Sequence, residues 1–115
     1  MPSFEPGTIV RVPFPYTDRE TRQRRPALVV ASNVGPDGAL LWVLMITSAA
    51  NRRWPDDVAV EQGHEMCGLP APSLVRTAKI ATIETRVADA LGRLDDNRMA
   101  EVLAVLVKQL GIVAR

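Results

Sequence analysis

The sequence predicts a mainly-β fold: a small, strongly curved antiparallel barrel closed by one C-terminal helix. Short apolar segments of strand length alternate with turns that contain Gly and Pro, and only the C-terminal segment has helical periodicity. A parallel βαβ arrangement needs crossover helices between its strands, and the pattern offers none. A length of 115 residues suits one core, so we expect a single domain over residues 1–115.

The first strand is predicted over residues 8–16. Its apolar side chains alternate along the chain and so share one face: Val10, Val12, Phe14 and Tyr16. Pro13 and Pro15 on the other face favour an edge or bent strand. Residues 17–24 contain no apolar side chain and are predicted to form a mobile surface loop.

A hairpin of two strands buried on both faces is predicted next. Continuous apolar runs occupy residues 27–31 and 39–46, on either side of a Gly- and Pro-containing turn at 33–38. Trp42 lies inside the second run and is expected in the core. Shorter strands are predicted over 57–61, 74–76, 79–85 and 87–94, with a loop over 62–73.

The C-terminal helix is predicted from one apolar stripe at helical spacing, formed by Met99, Val102, Leu103, Leu106 and Leu110. Asp95 is the expected N-cap, and Leu94 and Met99 have the spacing of a hydrophobic staple around it. Gly111 is expected to end the helix.

The composition of the sequence limits the cellular compartments in which the protein is expected. Cys67 is the only cysteine, so an intrachain disulfide is impossible and a reducing compartment is allowed. The longest apolar run has eight residues, far short of the roughly 20 that span a bilayer. We therefore expect a cytoplasmic protein without a membrane partner.

Positive charge is concentrated in the first half of the chain. The net charge is only +1, but residues 1–53 hold seven arginines against four acidic residues, whereas residues 54–115 are net negative. Charged loops are often plain solvated surface, so distribution alone does not establish nucleic-acid binding.

Metal and nucleophilic chemistry find little support in the residue types. His64 and Cys67 are the only soft ligands, whereas a zinc site wants three or four protein ligands, so no metal or other cofactor is expected. His64 lies next to Gly63 in a loop and is expected to be solvent-exposed rather than paired with a nucleophile.

Arg25 is the strongest candidate for chemistry, because Arg25-Pro26 opens an apolar strand and fixes a guanidinium at its start. The planar, permanently charged guanidinium suits a phosphate. Cleavage of RNA by its own 2′-hydroxyl requires in-line alignment, two proton transfers and stabilisation of a more negative phosphorane. Arg25 can supply the last of these, while the hydroxyls of Thr47 and Ser48 could orient a substrate oxygen or simply end a strand.

An ordered set of segments resembles the MazF/PemK family of toxins from toxin–antitoxin pairs. The matching segments are residues 7–15 (GTIVRVPFP), 24–30 (RRPALVV), 46–48 (ITS), 72–76 (PSLVR) and 79–83 (KIATI), followed by the Leu-rich helix. The resemblance covers nearly the whole chain. It implies an SH3-like barrel that forms a homodimer, is inhibited by a cognate antitoxin protein, and cleaves single-stranded RNA without a metal to leave 2′,3′-cyclic phosphate and 5′-hydroxyl ends.

The resemblance also implies site residues. The family's catalytic arginine and threonine fall on Arg25 and Thr47. Substrate-binding positions are expected at Arg19, Arg22, Arg24, Ser48, Arg52, Arg53, Trp54, Arg76, Thr77 and Lys79. The PemK branch has an aspartate two residues after the fifth-strand arginine, where this chain has Ala78. His64, Glu20 or Asp18 could replace that carboxylate, or orientation and charge stabilisation could carry the reaction.

Two other functions compete with a ribonuclease. A gyrase poison of the CcdB kind shares the barrel and characteristically ends in Trp-Gly-Ile, but here Leu110-Gly111-Ile112 is followed by three more residues. A catalytically silent module that keeps only the barrel and its partner surface is the second, and Ala78 is the residue that favours it.

Overall fold

The computed structural model describes residues 4–13 and 24–112. Six antiparallel strands form one curled sheet, a half-barrel, in the order β4-β5-β3-β2-β1-β6. The elements, in chain order, are β1 (Thr8–Pro13), β2 (Arg24–Val34), β3 (Leu40–Ser48), β4 (Val58–Val60), β5 (Ser73–Glu84), β6 (Asp89–Arg93) and α1 (Asp96–Leu110). The predicted mainly-β fold with one C-terminal helix is confirmed.

Both faces of the central strands are buried, as the apolar runs predict. One cluster lies on one face of the sheet and is formed mainly by alternate residues of β1, β2 and β3 together with Ile83 of β5. It includes Val10, Val12, Ala27, Val29, Val43 and Met45. The other face carries a second cluster that the helix helps to cover, including Ile9, Leu28, Leu44, Ile46, Val75 and Val102. We call these the first and second core clusters.

Of the two expectations from the prolines of the first strand, an edge strand or a bent strand, the edge position is wrong. β1 lies between β2 and β6. Pro13 is tolerated because it is the last residue of β1 and pairs only with Arg24, while pairing with β6 ends at Arg11. The predicted strand residues 14–16 and loop residues 17–23 lie outside the described residues.

Two strands are longer than the sequence predicts. β2 begins at Arg24, which the sequence assigned to a loop, because the end of β1 pairs with it. The strands predicted at 74–76 and 79–85 are one continuous strand, β5. Four residues of β5, from Arg76 to Lys79, lie opposite Met45 alone, between the pairs Ile46↔Val75 and Leu44↔Ile80. This bulge bends β5 where the sheet curls.

The helix begins and ends as predicted. The carboxylate of Asp95 accepts a hydrogen bond of 3.1 Å from the backbone amide of Arg98, and Gly111 ends the helix in the left-handed conformation. Burial alone would raise the pKa of Asp95, but hydrogen bonds from Arg98 and its charge outweigh burial and lower that pKa below 3.8. Leu103 and Leu110 of the predicted stripe stay exposed, because only part of the stripe faces the sheet.

Trp42 is not in the core, contrary to the expectation. Its side chain is 44% exposed on β3, beside the 56%-exposed Ile80 of β5. Trp42 points to the same face as Leu44, but the second core cluster does not extend that far along the strand. The two side chains form an exposed apolar patch on that face.

The loop before β5 closes tightly on β6. A Cβ atom on Gly68 would lie 2.2 Å from the carbonyl oxygen of Leu91, and one on Gly92 would lie 2.1 Å from that of Cys67. Glycine is therefore required at both positions for the two backbones to touch. In the described part of the chain, α1 is neither long nor apolar enough to cross a membrane.

Candidate active site

The register of β2 and β3 brings the two predicted catalytic residues to the same end of these two neighbouring strands. The last paired residues at that end are Ala27 and Met45, both in the first core cluster. Arg25 and Thr47 lie two residues further along their strands, so their side chains share the face of that pair. Both are half-buried. The structure thus places a cation and a hydroxyl on one face, at the same end of β2 and β3 and next to the first core cluster.

Thr47 is held by a residue of the turn that follows β3. The side-chain amide of Asn51 donates a hydrogen bond of 2.6 Å to Oγ1 of Thr47. Ser48 fixes the conformation of this turn with two hydrogen bonds. Its carbonyl oxygen accepts from the backbone amide of Asn51 at 3.0 Å, and its Oγ accepts from the backbone amide of Ala50 at 3.1 Å. Ser48 therefore shapes the turn and is itself exposed.

A second contact joins the following loop to β5. Arg76 is only 6% exposed, and its Nη2 donates a hydrogen bond of 2.6 Å to the carbonyl oxygen of Arg52. Its guanidinium also lies over the ring of Trp54, with 4.0 Å between the Cζ atom and the ring centroid. Trp54 remains 39% exposed. The indole is thus supported by the guanidinium and still offers surface to a ligand.

Two further side chains fix the same loop. Thr77 is buried and its hydroxyl donates to the carbonyl oxygen of Asp56 at 2.9 Å. The buried carboxylate of Asp57 accepts from the backbone amide of Trp54 at 2.8 Å. Together with Arg76, these contacts hold residues 52–57 against the bulge of β5. Arg76 and Thr77, expected to bind substrate, here bind the protein's own backbone.

Arg24 points away from Arg25, since neighbouring residues of a strand face opposite sides. Its Nη2 lies 2.6 Å from Oδ2 of Asp89 and donates to the carbonyl oxygens of Val87 and Arg11. These contacts hold the start of β2 against β1 and β6. The structure therefore separates the two adjacent arginines into one at the candidate site and one that ties strands together.

The remaining predicted binding residues lie in three different parts of the chain. Arg52 and Arg53 are exposed on the loop with Trp54, and Nη2 of Arg53 is 3.4 Å from the carbonyl oxygen of Asp57. Lys79 is half-buried at the end of the β5 bulge. Arg19 and Arg22 lie outside the described residues, as do Asp18 and Glu20.

His64 is not solvent-exposed, contrary to the expectation. Its side chain is 17% exposed, its Nδ1 lies 3.0 Å from the carbonyl oxygen of Leu69, and its Nε2 lies 2.9 Å from Oε1 of Glu65. Both ring nitrogens are thus engaged within the loop before β5. Among residues 4–13 and 24–112, no three His, Cys, Asp or Glu side chains are grouped as metal ligands.

Asn51 and Asp57 are the site-supporting residues that sequence reasoning missed. Asn51 follows the candidate Thr47 by four residues, with two alanines between in a turn, and an Asn in such a turn commonly hydrogen-bonds nearby groups. That pattern could have suggested a local partner, though not which one. No local sequence pattern predicts the supporting role of Asp57, because its burial depends on the position of β5.

Comparison with known proteins identifies the family. Residues 5–110 match the family model described as PemK-like, MazF-like toxin of type II toxin–antitoxin system. The chain therefore belongs to this family of toxins, and the resemblance stated from its sequence motifs is confirmed. No curated protein sequence matches the chain significantly.

Solved structures with the same fold include several toxins. The crystal structure of MazF from Deinococcus radiodurans has a TM-score of 0.73 and 23% identity over 97% of this chain and 100% of that chain. A MazE–MazF structure from the same organism has a TM-score of 0.73 and 22% identity over 98% and 100%. An endoribonuclease in complex with its cognate antitoxin, from Mycobacterial species, has a TM-score of 0.71 and 19% identity over 100% of both chains.

Proposed function

We propose that this protein is the toxin of a type II toxin–antitoxin pair and acts as a metal-independent endoribonuclease on single-stranded RNA. The 2′-hydroxyl of the substrate attacks the adjacent phosphate, leaving a 2′,3′-cyclic phosphate and a 5′-hydroxyl. The observation that carries the proposal is the shared face of Arg25 and Thr47 beside the first core cluster, in a chain of the MazF-like family.

In this mechanism Arg25 stabilises the phosphorane. As the 2′-oxygen bonds to phosphorus, negative charge grows on the non-bridging oxygens, and a fixed guanidinium offers parallel donors to two of them. Its pKa lies above about 12, so Arg25 acts as a cation and not as the base. Its half-buried position lessens solvent screening of that charge.

Thr47 orients the reacting group by hydrogen bond. Its hydroxyl lies on the same face as the Arg25 guanidinium, and a hydroxyl donates to a phosphate oxygen or accepts from the 2′-hydroxyl. Holding the attacking and leaving oxygens in line removes a large part of the activation barrier of this reaction. Because Ala78 stands in place of the PemK-branch aspartate, no side chain is assigned to the two proton transfers. The 2′-hydroxyl loses its proton to water and the 5′-oxygen takes one from water, while Arg25 and Thr47 supply charge stabilisation and orientation.

The RNA on either side of the cut is held by the loop after β3. Trp54 offers a face for stacking a base, and Arg52 and Arg53 lie beside it to contact phosphates. Ser48 lies at the end of β3, and Lys79 lies at the end of the β5 bulge. Arg19 and Arg22 complete the set from the segment between β1 and β2.

Two protein partners belong to the proposal, a second copy of the chain and a cognate antitoxin. Apolar side chains that stay exposed in the described part of the monomer supply surface for them: Trp42 and Ile80 on the sheet, and Leu103, Val107, Leu110 and Ile112 at the helix. The proposed setting is the cytoplasm, where an antitoxin covering the RNA groove keeps the toxin inactive. Competition between antitoxin and RNA for one site would be observed as mutually exclusive binding.

One experiment separates this function from its two rivals. Purified protein is incubated in EDTA with a labelled single-stranded RNA, and with the same RNA carrying a 2′-deoxy nucleotide at each cut site. We expect cleavage of the first only, with cyclic phosphate ends. A gyrase supercoiling assay run beside it should show no inhibition. Inhibited supercoiling without RNA cleavage would support a gyrase poison, and neither activity would support a silent binding module.

A further inference from the structure

The hydrogen bond between Asn51 and Thr47 determines where the Thr47 hydroxyl proton can point. Thr has a β-branched side chain with few rotamers, and the hydrogen bond from Asn51 favours the rotamer that is observed. In that rotamer the hydroxyl proton can still rotate. Asn51 approaches Oγ1 with its Nδ2 at 2.6 Å, as a donor.

A hydroxyl group has one proton to donate and two lone pairs that accept. Because the Asn51 amide donates, it occupies a lone pair and repels the hydroxyl proton from that direction. The proton is left for an oxygen on another side of Oγ1. An acceptor in the place of the amide would instead capture that proton and present only a lone pair to a substrate.

The backbone keeps Asn51 in this position. Its own amide donates to the carbonyl of Ser48 at 3.0 Å, and the amide of Ala49 donates to the carbonyl of Pro72 at 2.9 Å. The turn is thus anchored to both the end of β3 and the start of β5. The donor is in place before any substrate arrives, which is the condition for preorganised catalysis.

We propose that Asn51 is a positioning residue that aims the Thr47 hydroxyl proton at an oxygen of the scissile phosphodiester. This inference rests on the proposed ribonuclease function and adds a residue to its site. Asn51 acts through Thr47 and makes the threonine a donor in the reaction. Its removal should therefore lower kcat and change KM little.

The test measures single-turnover cleavage in EDTA for wild type and the variants Asn51→Ala, Asn51→Asp and Thr47→Ala. Asn51→Ala should slow cleavage about 10- to 100-fold, the scale of a small loss of alignment, with KM within about threefold. In the Thr47→Ala background, Asn51→Ala should cost less than about twofold, because the two residues act as one unit. Ala50→Asp is the matched control for charge, placed one residue away.

Asn51→Asp supplies a readout that a merely structural role would not move. At pH 7 its carboxylate only accepts, so it captures the Thr47 proton and cleavage falls at least as far as in Asn51→Ala. Protonation restores a donor, so the rate of Asn51→Asp relative to wild type should rise as pH falls toward the ordinary Asp pKa of about 3.9. Ala50→Asp places the same charge on an exposed neighbouring residue, while Asn51 keeps its hydrogen bond to Oγ1, so its rate relative to wild type should show no such rise as pH falls.

Each result decides something. If wild type cleaves RNA and the Asn51 variants cleave it at the same rate, the inference is overturned and the proposed function stands. An equal loss from Asn51→Ala with and without Thr47 also overturns it, because the effect would then not pass through the hydroxyl. Absence of wild-type cleavage overturns the proposed function and this inference together.

Discussion

Arg76 and Trp54 are stacked, with 4.0 Å between the guanidinium carbon and the indole centroid, and the same guanidinium binds the carbonyl of Arg52. A residue that the sequence assigns to RNA binding therefore supports a loop on which other RNA-binding candidates lie. The burial of Arg76 removes its charge from direct reach, while the exposed face of Trp54 stays open. The contacts of Arg76 accordingly fix the loop in the absence of any ligand.

Trp54→Ala should weaken binding of a non-cleavable RNA by about 1–3 kcal/mol, the usual loss for one base–aromatic stack. Arg76→Met keeps apolar volume but removes the cation, so it should weaken binding less, and add little in the Trp54→Ala background. Trp42→Phe is the control, because that exposed tryptophan lies on the face of β3 opposite to Thr47. Fluorescence anisotropy measures all four; an unaltered affinity for Trp54→Ala would remove the stacking role.

Arg24→Ala should leave cleavage within about threefold of wild type, because its guanidinium binds Asp89 on the face away from Arg25. The pair is substantially exposed, so its loss should lower the unfolding free energy by only about 0.2–1 kcal/mol. Single-turnover rates and urea unfolding test both values. A loss of cleavage comparable to that of Arg25→Ala would place Arg24 in contact with the RNA.

The lowered pKa of Asp95 makes part of the unfolding free energy depend on pH. The folded pKa lies below 3.8, so the charged cap stabilises the protein above the unfolded value, and this contribution is lost as pH falls through the folded pKa. Asp95→Ala should cost about 1 kcal/mol near pH 7, as for other helix caps. The difference from wild type should shrink below pH 4 in urea unfolding. A difference that is independent of pH would show that the charge contributes nothing.

Gly68→Ala should destabilise the protein by more than about 3 kcal/mol or prevent folding, since its Cβ would meet the Leu91 carbonyl at 2.2 Å. Gly63→Ala is the matched control: its φ of +78° is close to the +84° of Gly68, but a Cβ there meets nothing within 4 Å. That control should cost about 1 kcal/mol, from the backbone conformation alone. Equal costs in urea unfolding would mean that close backbone contact is unimportant.

Local chemistry made some features predictable. The ends of the helix follow from Asp95 and Gly111, whose effects act within a single turn, and all of β1–β3 are present because apolar runs of strand length have few alternatives. Arg25 and Thr47 were predicted as site residues because each lies at an end of an apolar run, and the register of β2 and β3 places them on one face.

Features that depend on a distant strand were not predictable. Trp42 is exposed because the second core cluster ends before reaching it, which depends on where the helix lies. Arg76 is buried at a bulge defined by pairing with β3, and no local pattern announces that bulge. The Asn51 contact depends on the conformation of a turn whose two central alanines carry little information.

The most direct test of the account is a double-mutant cycle on Arg25 and Thr47, measured as single-turnover cleavage of one RNA in EDTA. Each of Arg25→Ala and Thr47→Ala should reduce the rate at least about a hundredfold, on the scale of losing one preorganised donor. The double variant should be slower than wild type by much less than the product of the two single-variant factors, because both side chains hold the same phosphate. Cleavage that survives Arg25→Ala, or two losses that simply multiply, would contradict a shared site.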